Sequence, residues 1–133
     1  MVEVQSGHLR VEVVEARLTR DTEMFGKMDP YCVISLGEQK FRTRVLDGAG
    51  KTPKWHQAFE FDVVSGSDHV SVQVFDEDVG KDDIVGNALL QVSTLCVKSG
   101  VDDWFTICYK GKQAGQIHLK SEWTPNAGSE GQA

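Results

Sequence analysis

VSVQVFDEDVGKDDIVG, residues 70–86, combines in one segment the two patterns that indicate the fold. Its first half alternates valine with polar residues, and this period of two is typical of a strand with one buried face. Its second half places four aspartates in a short run that leads into another apolar segment. The stretch therefore predicts two strands joined by an acidic loop.

The same alternation recurs along most of the chain. It is found in residues 9–13, 41–45, 59–63, 70–74 and 117–119. Three further segments, residues 31–36, 86–92 and 104–109, are apolar on both faces, as more central strands are. Clusters of glycine, proline, serine and aspartate separate these segments. The pattern predicts an all-β fold, an eight-stranded antiparallel β-sandwich.

Length and composition describe one globular domain. The chain has 133 residues, is 40% hydrophobic and carries a net charge of -6, which argues against nucleic acid as a partner. No apolar run approaches the roughly 18 residues of a membrane span, and no signal-peptide pattern opens the chain, so we expect a cytoplasmic protein. Residues 124–133 are small and polar, so we expect a domain over residues 1–123 and a disordered tail over residues 124–133.

Carboxylates are concentrated in two clusters that follow apolar segments. The clusters are Asp21, Glu23 and Asp29, and then Asp76, Asp78, Asp82 and Asp83. If the fold brings the clusters together, two carboxylates about 4 Å apart repel by roughly 4 kcal/mol at an effective dielectric near 20. Such a group either takes up protons or binds a hard cation, and ligands that are all oxygen favour calcium.

Other uses of the acidic run are less consistent with its context. A run such as residues 76–83, taken alone, is more often a solvated hairpin tip than a metal loop. An EF-hand is excluded because its twelfth position, counted from Asp76, is Asn87, and because the flanking segments are strands. Phosphatase chemistry at Asp76 and Asp78 needs a parallel α/β sheet. No nucleophile elbow occurs either, so we expect neither an enzyme nor a small-molecule substrate.

Four motifs occur in one order along the chain. They are GHLRVEV from Gly7, EMFGKMDPY ending at Tyr31, PKWHQAFEF from Pro53 and FDEDVGKDDIVG ending at Gly86. In this order and at these separations they resemble the C2 domain, over nearly all of residues 7–123. The resemblance implies an eight-stranded sandwich of type II topology, similar to small plant single-domain members, whose loops at one end bind calcium and dock on anionic phospholipid.

The resemblance also implies which residues hold the metal. Carried over position by position, the ligands are Glu23, Asp29, Asp76, Asp78 and Asp83, with the backbone carbonyls of Glu77 and near Thr22. Glu23 stands where the family usually has aspartate, so Asp21 is an alternative ligand. The loop between Asp78 and Asp83 is one residue short, which leaves Asp82 as a competing ligand. The resemblance therefore leaves open whether one or two calcium ions bind.

Basic and apolar side chains near the acids are candidates for membrane contact. They are Lys40, Arg42 and Arg44, then Met24 and Phe25, and Val79. The three cations alternate with apolar residues and share one strand face, which either protects a sheet edge or, as the resemblance implies, binds anionic headgroups. Met24 and Phe25 either fold back on the core or enter the acyl boundary from a loop tip.

The sequence as a whole predicts a monomeric recruitment and signalling module. It would bind anionic phospholipid membranes peripherally when calcium reverses the charge of its loops. The alternative is a calcium-independent module that binds a protein partner and has a degenerate metal site. Glu23 and the short third acidic loop favour this alternative.

Overall fold

The computed structural model describes residues 5–126 as eight antiparallel strands with one short helix. The elements are β1 (Gly7–Leu18), β2 (Pro30–Leu36), β3 (Gln39–Arg42), β4 (Lys54–Val63), β5 (His69–Asp76), β6 (Asp83–Gln91), α1 (Val92–Cys96), β7 (Asp102–Tyr109) and β8 (Lys112–Pro125). A single 3-10 turn, Val97–Ser99, follows α1. None of the helices in this range is long and apolar enough to cross a bilayer.

The strands form two packed sheets. Their hydrogen-bonded order is β3-β2-β5-β6-β7-β8-β1-β4, but β6 and β7 share only the pair Asn87 and Cys108, so the order divides in the middle. Val11 and Val13 of β1 belong to the same buried cluster as Val72 and Val74 of β5. The two halves thus bury one face each against a common core, and the predicted antiparallel β-sandwich is confirmed.

The period-two pattern matches burial closely, whereas two of the segments that are apolar on both faces do not. Val70, Val72 and Val74 of β5 are fully buried, and the residues between them are not. The prediction that residues 86–92 and 104–109 are buried on both faces is wrong, because Leu89 is 66% exposed and Thr106 is exposed as well. Both residues lie on outer faces of the sandwich, which no further layer covers.

Side-chain hydrogen bonds connect β3 and β4, the strands at the two ends of the strand order. Gln39 donates from Nε2 to the Asp62 carbonyl at 2.8 Å and accepts the Asp62 N–H at 2.7 Å, as a neighbouring strand would. Beyond the end of β3, Gln57 accepts the Arg44 N–H at 2.6 Å. β3 itself ends at Arg42, earlier than the predicted 41–45 segment. These bonds satisfy edge groups that would otherwise attract another strand.

β8 continues past the expected end of the domain. It runs to Pro125, which lies opposite Gly7 of β1, two residues beyond the boundary expected at residue 123. The Asn126 N–H then donates to the Ser6 carbonyl at 3.0 Å. The rest of the expected tail, residues 127–133, lies outside the described range.

Three connections that carry most of the acidic candidates meet at one end of the sandwich. We call them loop 1 (residues 19–29), loop 2 (residues 43–53) and loop 3 (residues 77–82). They meet because β2 and β5 are antiparallel neighbours, so Pro30 at the start of one faces Asp76 at the end of the other. The Pro30 carbonyl also accepts the Leu46 N–H and the Trp55 indole N–H, which fixes loop 2 beside loop 1.

Gly115 is a position where β1 and β8 approach too closely for a side chain. Its φ is +143°, and a Cβ there would lie 2.4 Å from the Arg17 carbonyl oxygen. We expect Gly115→Ala to lower the free energy of unfolding by about 3 kcal/mol or more, from strain and clash together. The control is Gly111→Ala, with φ +82° but nothing within 4 Å, which should cost only about 1–2 kcal/mol. Urea denaturation measures both, and equal losses would contradict a steric role.

Candidate calcium and membrane site

The Asp76 carboxylate lies at the centre of the acidic end and is fully buried. Its Oδ1 accepts the Asp29 backbone N–H at 2.8 Å, and its Oδ2 accepts the Thr22 hydroxyl at 2.9 Å. Both donors belong to loop 1, so this one carboxylate joins loop 1 to the end of β5. A buried carboxylate is tolerated only with such donors, which is why the loop adopts this course.

Asp29 extends the connection to the other two loops. Its backbone carbonyl accepts the Glu77 N–H of loop 3 at 3.0 Å, and its Oδ1 accepts the Gly48 N–H of loop 2 at 2.7 Å. The three loops are therefore held together by hydrogen bonds in which backbone groups and carboxylates take part.

Glu23 completes a group of four interacting carboxylates, which we call the acidic group: Glu23, Asp29, Asp76 and Asp78. A hydrogen bond to Asp76 is the largest cause that raises the pKa of Glu23 to about 7, followed by the charge of Asp76, partial burial, and the charges of Asp78 and Asp29. The raised pKa favours a proton on Glu23 up to near neutral pH. Proton uptake is one of the two outcomes expected when carboxylates are crowded.

Asp82 has a different environment from its neighbours. One of its oxygens accepts the Tyr31 hydroxyl, and the other accepts the Asp78 N–H at 3.0 Å. These two bonds lower the pKa of Asp82, while burial and the bond to Asp82 raise the pKa of Tyr31 to about 12. Asp82 therefore shapes loop 3, although its sequence position made it a competing ligand.

The remaining acidic candidates lie at the margin of the acidic group. Asp21 is exposed, and its Oδ1 accepts the Glu23 N–H at 2.9 Å within loop 1. Asp83 is also exposed and faces Asp76 across the β5–β6 pair. The Glu77 side chain points toward β3, with its carboxylate 3.9 Å from the Arg42 guanidinium.

The donor set fits a hard cation in its chemistry. Within residues 5–126 no three histidine, cysteine, aspartate or glutamate side chains converge into a ready metal site. The acidic group nevertheless offers only oxygen donors, which are the ligands that calcium prefers. A divalent cation and the Glu23 proton would neutralise the same negative charge, so the two compete for this group.

The tips of loops 1 and 3 expose large apolar side chains. Met24 is 87% exposed, Phe25 is 84% exposed and Val79 is 99% exposed. We call them the loop-tip trio. The alternative in which Met24 and Phe25 fold back on the core is therefore wrong, and all three face solvent at the end that holds the acidic group.

The basic candidates divide into two kinds. Lys40 and Arg42 are exposed on β3, and the Arg42 guanidinium lies 4.3 Å from the Tyr31 ring centroid. Arg44 lies beyond the strand, and its guanidinium donates to the Trp55 carbonyl at 2.5 Å. A cavity of about 390 Å³ adjoins β3, lined by Tyr31, Val33, Lys40, Phe41, Arg42, Gln73 and Phe75. Lys40 and Arg42 thus border a concave face, whereas Arg44 fastens loop 2.

Two residues important at this end were not predicted as side-chain contributors. Thr22 was expected to offer only a backbone carbonyl, and Tyr31 entered only as the last residue of a motif. Their hydroxyls donate to Asp76 and Asp82 across 54 and 51 sequence positions. No local spacing in the sequence could reveal contacts of that range.

Comparisons with known proteins agree on one family. A C2 domain family model matches residues 7–107. The chain is similar to extended synaptotagmin-2-B of Xenopus laevis, with 35% identity over 135 residues that cover 96% of this chain and 15% of that protein. It spans between 11% and 15% of the length of the curated relatives it matches.

Solved structures show the same similarity. A calcium-bound pair of C2 domains from extended synaptotagmin 2 aligns with a TM-score of 0.79 at 30% identity, covering 92% of this chain and 47% of that one. A C2 domain-containing protein aligns with a TM-score of 0.82 at 27% identity, covering 96% of this chain and 95% of that one.

Replacing Glu23 should change how stability depends on pH in the absence of divalent cations. Because its pKa is about 7 in the folded protein and 4.5 ordinarily, the folded state binds more protons between these values. Stability is then lost as pH rises through that window. We expect Glu23→Gln, measured in chelator, to melt at a higher temperature than the wild type at pH 8 and at a similar temperature near pH 4.5.

Thermal unfolding at the two pH values tests this expectation. Glu38→Gln, in the exposed turn between β2 and β3 at the other end of the sandwich, is the control and should show no such pH-dependent gain. A Glu23→Gln gain that is the same at both pH values would contradict the raised pKa of Glu23.

Proposed function

The chain belongs to the C2 domain family, and from this we propose that it binds anionic phospholipid membranes in a calcium-dependent way through loops 1 and 3. C2 domains of the extended synaptotagmin type generally bind calcium and lipid. The observation that carries the proposal is the position of the loop-tip trio at the end where the acidic group lies. Negative charge and exposed apolar surface together suit a membrane contact that a cation controls.

The acidic group would hold the ion. When bound, calcium supplies positive charge and coordination positions for phosphate oxygens. Glu23 would lose the proton that its raised pKa favours, while Asp82 would stay bonded to Tyr31 and preserve the shape of loop 3. Whether one ion or two is held depends on whether the marginal carboxylates of Asp21 and Asp83, and the Glu77 carbonyl, also contribute.

The membrane contact itself would come from this chain's apolar and basic side chains. Full burial of a side chain such as Met24 or Phe25 contributes about 1.5–3 kcal/mol, and partial entry into the acyl boundary contributes less. Lys40 and Arg42 on the exposed face of β3 would add about 1 kcal/mol each near an anionic surface. Without the cation, the acidic group opposes this approach by repulsion.

The proposal describes recruitment and not catalysis. C2 domains are non-enzymatic modules. We propose that this one acts as a monomer at the cytoplasmic face of a membrane, with neither a small-molecule substrate nor nucleic acid as partner.

A calcium-independent protein-binding module is the second candidate. It is favoured by the proton on Glu23, because a proton relieves the repulsion within the acidic group without any metal ion. Calorimetric titration of the protein with calcium separates the two candidates. The first requires saturable heat, and the second requires none.

Neutralising two members of the acidic group should abolish the calcium response. We expect Asp76→Asn with Asp78→Asn to eliminate calcium-dependent co-sedimentation with phosphatidylserine vesicles, because the site loses two of its four carboxylates. With asparagine at position 76, the amide oxygen can still accept the Asp29 N–H and the amide N–H can donate to the Thr22 hydroxyl, so the fold should survive.

The matched control is Asp62→Asn with Asp68→Asn, which removes the same charge at the opposite end of the sandwich. Calcium should still bring this control to the vesicles. The proposal fails if both double variants respond to calcium alike, or if the wild type binds equally well in chelator.

Truncating the loop tips should weaken membrane binding without changing calcium affinity. We expect Met24→Ala with Phe25→Ala to lose about 2 kcal/mol of binding free energy, or about thirtyfold in vesicle partitioning, since both side chains enter the bilayer only in part. Leu89→Ala with Val64→Ala removes apolar surface of similar exposure elsewhere and should have little effect. An equal loss in both variants would mean that loop-tip insertion does not occur.

A further inference from the structure

The hairpin between β7 and β8 lies at the same end of the sandwich as loops 1, 2 and 3. Its turn residues, Lys110 and Gly111, have φ values of +51° and +82°, and Lys110 is exposed. Just after the hairpin, the Ala114 carbonyl accepts the backbone N–H groups of Thr19 and Arg20 at 2.8 and 3.2 Å. The hairpin is therefore fastened to the beginning of loop 1.

Three cations collect at this junction. The Arg20 guanidinium lies 3.7 Å from the centroid of the Tyr109 ring, and the Lys110 ammonium lies 5.3 Å from it. Lys112 is exposed on the other side of the turn and pairs with Tyr109 in the β7–β8 register. One aromatic ring thus holds two of the cations near each other.

These cations have no carboxylate partners. Over residues 5–126, neither Arg20 nor Lys110 nor Lys112 makes an ion pair. By contrast, Arg10 and Lys54 on the outer sheet face each lie within 4 Å of a glutamate. In a chain with 20 acidic and 14 basic residues, three neighbouring cations without partners form a local positive surface.

Arg20 is held in a fixed orientation. Its Nη2 donates to the Ile84 carbonyl at 3.2 Å, the Tyr109 ring covers the guanidinium, and its buried Nε has no hydrogen-bond partner within the described range. A guanidinium has five N–H donors, so others remain for an oxygen-rich anion. Because packing already orders the side chain, little conformational entropy is lost when an anion binds.

We propose that Arg20, Lys110 and Lys112 form a contact for the headgroups of anionic lipids that needs no bound cation. The inference rests on the proposed function, because it assigns a second contact to the end that would face the membrane. It is separate from the β3 cations, since β3 and the β7–β8 hairpin belong to different sheets. The two basic surfaces flank loop 1, which connects the sheets, and so would set the orientation of the docked module.

The test compares two double variants of equal charge. Lys110→Gln with Lys112→Gln removes the hairpin cations, and Lys98→Gln with Lys120→Gln is the control. Lys98 follows α1 at the opposite end and has the same φ of +51° as Lys110, so any backbone cost of the substitution is matched. Equal melting temperatures of the two variants establish that both are folded.

Partitioning is measured on phosphatidylcholine vesicles with and without about 30% phosphatidylserine, in chelator and in calcium, at low salt. Each cation near an anionic surface changes binding about fivefold, so we expect the hairpin variant to bind the anionic vesicles at least about tenfold more weakly in either condition. The control should change less than about twofold, and calcium affinity in solution should be the same for both.

Each outcome bears on one proposal or both. Equal binding by hairpin and control variants overturns the hairpin contact alone, and so does a loss of calcium affinity, which would show that loop 1 had been disturbed. A hairpin-specific loss with no effect of calcium on the wild type supports the contact and overturns calcium dependence. A wild type that binds no anionic vesicles in either condition overturns both.

Discussion

The hydrogen bonds to the buried carboxylate of Asp76 are the interaction on which the functional end of this sandwich depends. Loop 1 is long and connects one sheet to the other, and β8 fixes the course of only its first residues, where the Ala114 carbonyl accepts the Thr19 and Arg20 N–H groups. Asp76 fixes it by accepting from Thr22 and Asp29, and Asp29 then binds loops 2 and 3. Removing a hydrogen-bond donor from a buried carboxylate costs more free energy than a hydrogen bond between neutral groups contributes. Loop 1 therefore stays attached to Asp76.

This attachment has an electrostatic consequence that gives similar residues different roles. Because Asp76 draws loop 1 inward, Glu23 is brought against it, and the neighbouring carboxylate raises the pKa of Glu23 to about 7. Asp82, only six positions from Asp76, avoids the same crowding because Tyr31 and the Asp78 N–H stabilise its ionised form. Proton and cation are therefore alternative ways to relieve the repulsion within the acidic group.

Features that depend on periodicity and motif order could be predicted from the sequence. Features that depend on contacts between residues far apart in the sequence could not. Alternating valines located the strands, and the two acidic clusters were correctly expected at one end. The end of β3 at Arg42 was missed, because the next residue, Thr43, is buried and its hydroxyl accepts the Cys32 N–H. His118 contacts Glu15 across 103 sequence positions, and no local spacing reveals such a pair. The hydrophobic period of a strand reveals which of its faces is buried, but it does not reveal which side chains contact each other.

Net charge is a poor guide to how such a module meets an anionic surface. At about 0.1 M salt the Debye length is about 10 Å, so a membrane interacts with the charges at the facing end and hardly with the rest. Some acids on the outer sheet face already lie beside a cation, as Glu60 does beside Arg10 and Glu15 beside Lys54. The cations of the β7–β8 hairpin, by contrast, lie beside loop 1. A protein of net charge -6 can therefore have cations on both sides of its acidic group. The charge of the acidic group then decides the sign of the potential at the end formed by loops 1, 2 and 3.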